Sequence, residues 1–162
     1  MDVRIEAVQL SWEDGANIVV GQSHFIKTAE DIAEIMAGAV PGAKYGLAFA
    51  EASGPCLVRT EGNDANLVAD AVRCARAVGA GHAFFLVLKD CFPINVLNQL
   101  KSCPEVARIF CATANPLQVL VARTGQGAGI VGVVDGGSPK GVEGEADRAD
   151  RRAMLRKFGY KF

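Results

Sequence analysis

Apolar and polar residues alternate in the first ten positions. In "MDVRIEAVQL", Val3, Ile5 and Ala7, with Gln9, fall on one face, which predicts a strand. "WEDGAN" is a turn signal and "IVVGQ" a second short apolar run. The two runs are expected to pair as a hairpin around Asp14-Gly15. The period then lengthens. In "TAEDIAEIMAGAV", Ile32, Ile35 and Met36 recur at helical spacing beside Ala29 and Ala33. Thr28 reads as the N-cap of this helix, with Asp31 at the capping-box position, and Gly38 and Pro41-Gly42 end it.

"AKYGLAFAEA" and "PCLVRTE" read as strands joined at Ser53-Gly54. A helix, "ANLVADAVRCARAVG", follows; Asn63 or Asp64 caps its start, and Gly79 and Gly81 break it. "HAFFLVLKD" is apolar throughout and of strand length, as expected of a strand buried on both faces. Pro93 opens a short helix, "PINVLNQLKS". "VARIFCATA", "LQVLVART" and "GIVGVVDG" are three further strands. "GEADRADRRAMLRKFG" is a closing amphipathic helix whose acidic start and basic end suit the helix dipole. About eight strands and four helices give an α/β fold, bordering on α+β, as a single domain over residues 1–162. Because the last three strands follow one another, a mixed sheet with helices packed on it is expected.

Composition narrows the function classes. Half of the 162 residues are hydrophobic and 22% are charged, as in a globular chain with a sizeable core. The net charge is −1, so the basic footprint of a nucleic-acid binder is absent. No run approaches the roughly 18 apolar residues of a membrane-spanning helix, and the N-terminal alternation lacks the apolar core of a signal peptide. The five cysteines include no C-x-x-C pair, which argues against a disulfide framework or a zinc ribbon. Free thiols in a reducing cytoplasm are the expectation.

Two glycine-rich stretches imitate phosphate loops. "TGQGAGIVG" and "GAGHAFF" both lead into strands, whereas dinucleotide-binding glycines open a helix, so tight turns are expected at both. Polar residues gather at strand ends: Glu51 and Ser53, Asn63 and Asp64, Lys89 and Asp90, Thr113 and Asn115, and Asp135. Each has a structural reading as a cap, a turn former or a solvated end. Together they predict a pocket for a polar small molecule. No H-E-x-x-H or G-x-S-x-G motif supports a zinc protease or a common serine hydrolase.

Long segments of the chain resemble the adenosine-specific kinase family. They are "GQSHFIKTAED", "FAEASG", "LVRTEGND", "AGHAFF", "FPINVLNQLK", "ATANPLQVLVA", "IVGVVDGGSPKGVE" and "LRKFGYKF". The likeness runs from about residue 17 to the C-terminus. It implies a compact α/β homo-oligomer that binds adenosine or AMP-like ligands, a histidine that carries phosphate, and a phosphoryl-transfer activity. A non-catalytic adenine-nucleotide-binding or sensing protein is the alternative.

The chain has two histidines, His24 and His82. A phosphate-carrying histidine needs a free ring nitrogen with cations or amide donors nearby. His24 is the expected carrier, because Lys27 and the amides and positive dipole of the following helix are close in sequence. Ser23 and Thr28 add hydroxyls. His82, between Gly81 and an apolar strand, is the rival. The expected nucleotide-binding set is Ser23, Thr28, Glu51, Ser53, Asn63, Lys89, Thr113 and Asn115, with no organic cofactor. If ATP is used, Mg2+ accompanies it, and Asp64 and Asp135 are the candidate ligands. Apolar runs such as "HAFFLVL" and "LQVLVA" point to more apolar surface than one small domain covers, and hence to assembly.

Overall fold

A computed structural model describes residues 2–162. The elements in chain order are β1 (Arg4–Leu10), β2 (Asn17–Ser23), α1 (Thr28–Ala39), β3 (Lys44–Ala50), β4 (Val58–Gly62) and α2 (Ala65–Val78). They continue with β5 (Ala83–Lys89), a 3-10 turn at Pro93–Asn95, α3 (Leu97–Ser102), β6 (Val106–Thr113), β7 (Leu117–Arg123), β8 (Ala128–Asp135) and α4 (Glu145–Lys157). The α/β class, the eight strands and the four helices are as the sequence predicts.

The strands divide between two sheets. Five run in the order β4-β3-β5-β2-β6 and three in the order β1-β7-β8. Every ladder is antiparallel, where one mixed sheet was expected. Among the described residues the one parallel contact is an isolated bridge between Ala80 and Ala128. Accordingly the β1–β2 hairpin does not form. β1 pairs with β7, and β2 lies between β5 and β6. The turn at Asp14-Gly15 is real, with Gly15 left-handed at φ 81°. It works as a corner between sheets instead. The Glu13 amide donates to Asp70 of α2 (2.7 Å) and the Trp12 indole to the Ala16 carbonyl (2.9 Å).

β5 is the centre of the molecule. Its residues alternate between two cores, as expected for a strand covered on both faces. Ala83, Phe85 and Val87 pack with Leu67, Ala71 and Val78 of α2 and with Val119 and Val121 of β7. Phe84, Leu86 and Leu88 pack with Ile32 and Met36 of α1 and with Leu100 of α3. The layers are therefore α1 and α3, the large sheet, then α2 with the small sheet. In β1 the phase of the alternation is opposite to the simplest reading. Leu10 is buried and Val8 packs on the core, while Val3 and Ile5 are exposed.

α2 is capped as predicted. Asp64 accepts from the amides of Asn66 (3.0 Å) and Leu67 (3.2 Å), and Gly79 closes the helix in the left-handed region at φ 67°. α1 differs. Thr28 is its first residue, Lys27 holds the cap position, and no side chain caps it. The Thr28 hydroxyl turns inward and donates to the Phe25 carbonyl (2.6 Å). Asp31 pairs with Lys27 instead of closing a capping box. α4 buries none of its residues.

Candidate functional site

The ends of three adjacent strands bring the two histidines together. β2 ends at Ser23, whose amide donates to the His82 carbonyl (2.9 Å). The His82 amide in turn donates to Ala50, the last residue of β3 (2.7 Å). His24 follows β2 directly, and its amide is held by the Glu105 carbonyl at the start of β6 (3.1 Å). These bonds place both imidazoles on one pocket of about 300 Å³, lined also by Phe49, Glu51, Ser53 and Pro55.

The two rings differ. His24 is exposed, and its ring lies beside that of Phe25, with centroids 6.2 Å apart. His82 is half-buried and stacks on Phe49 at 6.0 Å. Its backbone is left-handed at φ 63°. That conformation is uncommon outside glycine and is held where the surroundings over-determine it. Neither imidazole hydrogen-bonds another side chain or carbonyl among the described residues, so the ring nitrogens remain open to a ligand.

Glu51 organises the wall of this pocket. Its carboxylate accepts from the Leu57 amide (2.8 Å) and pairs with Arg59 (2.8 Å). The Leu57 amide first, and Arg59 second, hold its acid below the ordinary glutamate range, so it stays ionised. Residues 51–57 thereby form an ordered loop with pockets on two sides. The second is a cavity of about 650 Å³, which shares Glu51 and Ala52 as a common wall. Across it stand Cys56, Arg76, the Gly79–Gly81 turn and the β7–β8 hairpin. The volume suits a nucleoside-sized ligand. Both glycine-rich stretches are tight turns, as expected, and both line this cavity. At Gly81 a methyl group would come within 2.9 Å of the Ala52 side chain, so a bare backbone is required there. Arg76 makes no ion pair among the described residues and sits in the cavity lining.

The remaining predicted residues separate into two groups. Around His24, Ser23 and Thr28 are fully buried and bond each other, and the Ser23 hydroxyl also donates to the Glu105 carbonyl (3.1 Å). Their hydroxyls brace the connection internally. Lys27 pairs with Asp31, which raises its pKa, and it lines a different depression from His24. The helix-start amides are largely taken, because those of Thr28, Ala29 and Asp31 donate to Phe25, Ile26 and Lys27.

The second group lies at the opposite end of the sheets. Asn63 bridges the Ala43 carbonyl (2.9 Å) and the Tyr45 amide (2.8 Å) at the start of β3. Lys89 pairs with Glu13. Thr113 (2.7 Å) and Asn115 (3.1 Å) both donate to Asp135. With Asp64, these residues stand six or so strand positions from the histidines, roughly 20 Å at about 3.4 Å per residue. One nucleotide does not span both ends. Of the predicted binding set, Glu51 and Ser53 share the histidine pocket. Arg76, Cys56 and the Gly127–Gly129 hairpin were missed, because turn glycines and a helical arginine carry no sequence signal beyond their local roles.

The cysteines are free. Burial pushes the thiols of Cys74, Cys103 and Cys111 up to about 11, so they are poor nucleophiles at neutral pH. Cys56 alone is exposed. No described helix is long and apolar enough to cross a membrane.

The comparisons establish the family. The crystal structure of the PH1918 protein from Pyrococcus horikoshii OT3 superimposes with a TM-score of 0.95, at 42% sequence identity over 99% of each chain. Among curated proteins no match is found. The family model described as "Adenosine specific kinase" matches residues 8–161. The chain therefore belongs to the adenosine-specific kinase family.

Proposed function

We propose that the protein binds adenosine or AMP in the 650 Å³ cavity and transfers phosphate through His24. The observation that carries this reading is the meeting of both histidines in one pocket that shares a wall with a nucleoside-sized cavity. In the transfer step a neutral His24 ring nitrogen attacks the terminal phosphorus of ATP. The N–P bond forms as the P–O bond breaks, and ADP leaves with the electron pair. The phosphoryl group then passes to the acceptor hydroxyl, whose proton is released to solvent. Exclusion of water by the Glu51 loop and charge stabilisation by Arg76 are the contributions expected of this chain. His82, stacked on Phe49, is the positioning residue.

Mg2+ bound with ATP would neutralise phosphate charge. Asp64 and Asp135 do not fit that ion, because one caps α2 and the other is tied to Thr113 and Asn115 at the far end. The alternative, a nucleotide-binding protein without turnover, is favoured by one observation. Among the described residues no carboxylate hydrogen-bonds either imidazole, so the usual orienting partner of a nucleophilic histidine is missing.

Cys56 reports on the cavity directly. Iodoacetamide at neutral pH is expected to label Cys56 first, and saturating AMP to slow that labelling at least about tenfold while GMP does not. Equal labelling with and without every nucleotide would remove this cavity as the binding site.

We also propose a cytoplasmic homo-oligomer. In the run "HAFFLVL" every residue after His82 is buried within the chain, so it is not the source of unpartnered surface. The small sheet and α4 are. Ile5, Val131, Val134, Met154 and Phe158 are all exposed, and α4 buries none of its own residues. Light scattering should report a mass well above the 17.0 kDa of one chain; a monomer at micromolar concentration would contradict assembly.

A further inference from the structure

At the first turn of α1, three metal-binding side chain types converge. Asp31, Cys103 and Glu105 place one ligand atom each within 4.8 Å of one another. The first comes from α1 and the other two from the connection between α3 and β6. Glu105 is 3% exposed and Cys103 7%. The Oε1 atom of Glu105 is buried without any hydrogen-bond partner. An ionised carboxylate in that position costs several kcal/mol unless a cation or a proton satisfies it. Among the described residues the only cation bonded to the cluster is Lys27, and it serves Asp31 at the exposed edge.

We propose that Asp31, Cys103 and Glu105 bind a divalent metal ion of the zinc type. The donor set selects the metal. Two carboxylate oxygens and a sulfur suit Zn2+ or Co2+, whereas Mg2+ and Ca2+ take oxygen alone. Tetrahedral zinc, at about 2.0–2.3 Å from each donor, spaces its ligands roughly 3.3–3.8 Å apart. Ligand atoms within 4.8 Å of one another need a contraction of about 1.5 Å at most, available from the partly exposed Asp31 side chain. Solvent reaches the cluster at that same side chain. Binding replaces the thiol proton of Cys103 by the metal and releases that proton to solvent, which reverses the upward pressure of burial and of Glu105 on this thiol.

The site has a structural consequence. The Glu105 carbonyl accepts from the His24 amide and from the Ser23 hydroxyl. An ion on the Glu105 side chain therefore clamps the segment that carries His24 onto the base of β6. It would also compete with Lys27 for Asp31. None of the three ligands lines the histidine pocket, so this ion is separate from any nucleotide-bound Mg2+.

The test is a titration of the chelator-treated full chain with CoCl2, followed by absorption. The expected result is saturation near one equivalent with a thiolate-to-cobalt charge-transfer band, displaced by ZnCl2. Cys103→Ser should abolish the band, and Glu105→Gln should weaken cobalt binding about tenfold or more, while Cys111→Ser leaves both unchanged. Asp31→Asn, at the exposed edge, serves if the buried variants fail to fold, and it should weaken binding similarly. A wild-type titration without the band, or a band that survives in Cys103→Ser, overturns the proposal. So does stabilisation by Glu105→Gln with no metal effect on melting, which would identify a proton shared between the two carboxyl groups.

Discussion

Replacing His24 by alanine is expected to abolish the phosphoryl adduct and to lower phosphate transfer to adenosine on the order of a thousandfold or more. A thousandfold corresponds to about 4 kcal/mol of lost transition-state stabilisation. The fold should be indifferent, because His24 is exposed and its structural bond is made by the backbone amide. A change in unfolding free energy within about 0.5 kcal/mol is the expected control. His82 separates the roles further. His82→Gly relieves a left-handed backbone at φ 63° while deleting the ring. Stability should hold or rise slightly, and transfer should fall only about ten- to hundredfold, as for a positioning residue. Intact-mass measurement at neutral pH reads the adduct, since phosphohistidine is acid-labile. An adduct that survives His24→Ala and vanishes in His82→Gly would transfer the carrier role to His82.

The largest stability effect is expected at Gly46. A methyl group there would sit 2.1 Å from the Leu67 carbonyl carbon and the Val68 nitrogen, and 2.3 Å from the Leu67 oxygen. These are main-chain atoms of α2, so no side chain can rotate away. The register partner of Gly46 is Gly62, where an added methyl would likewise meet Val68. Helix and sheet approach each other closely here because both strands carry glycine at this paired position. Gly46→Ala must lift α2 off the large sheet and open the core around Leu67, Ala71 and Val78. A loss of about 3 kcal/mol or more is expected in denaturant unfolding. Gly38→Ala is the matched control. Nothing lies within 4 Å of its added methyl, and removing a helical glycine should gain up to about 1 kcal/mol. Equal stability of the wild type and Gly46→Ala would contradict the packing described.

Local patterns in the chain were legible where one residue type answers one local demand. Asp64 caps α2 and Gly79 closes it because both act within a single turn. The double-sided burial of β5 was legible because "HAFFLVL" leaves no polar face. Pairing partners were not. The turn at Asp14-Gly15 has the chemistry of a hairpin, but Trp12 and Glu13 tie it to the chain around Ala16 and to α2, and the two strands enter different sheets. Thr28 looked like a cap because its type favours that role. Its hydroxyl instead donates to the Phe25 carbonyl beside the buried Ser23, in a connection whose path the residue type alone does not reveal. The site was half legible for the same reason. His24, Glu51 and Ser53 are strand-end residues that meet. Lys89, Thr113, Asn115 and Asp135 are strand-end residues of the same kind, at the other end of the same sheets. Spacing along the chain carries no information about which end a residue occupies until strand directions are known.

The central claim is that adenine nucleotide binds in the cavity behind the Glu51 wall, with its phosphate reaching the pocket where the two histidines meet. The chain has only two histidines, so the imidazole nitrogen signals in proton–nitrogen correlation spectra can be assigned by His24→Ala and His82→Gly. During titration with AMP, both imidazoles should shift together and saturate at one ligand per chain, with GMP producing little change. Saturable AMP binding that leaves both imidazoles unmoved would place the nucleotide elsewhere and contradict the account.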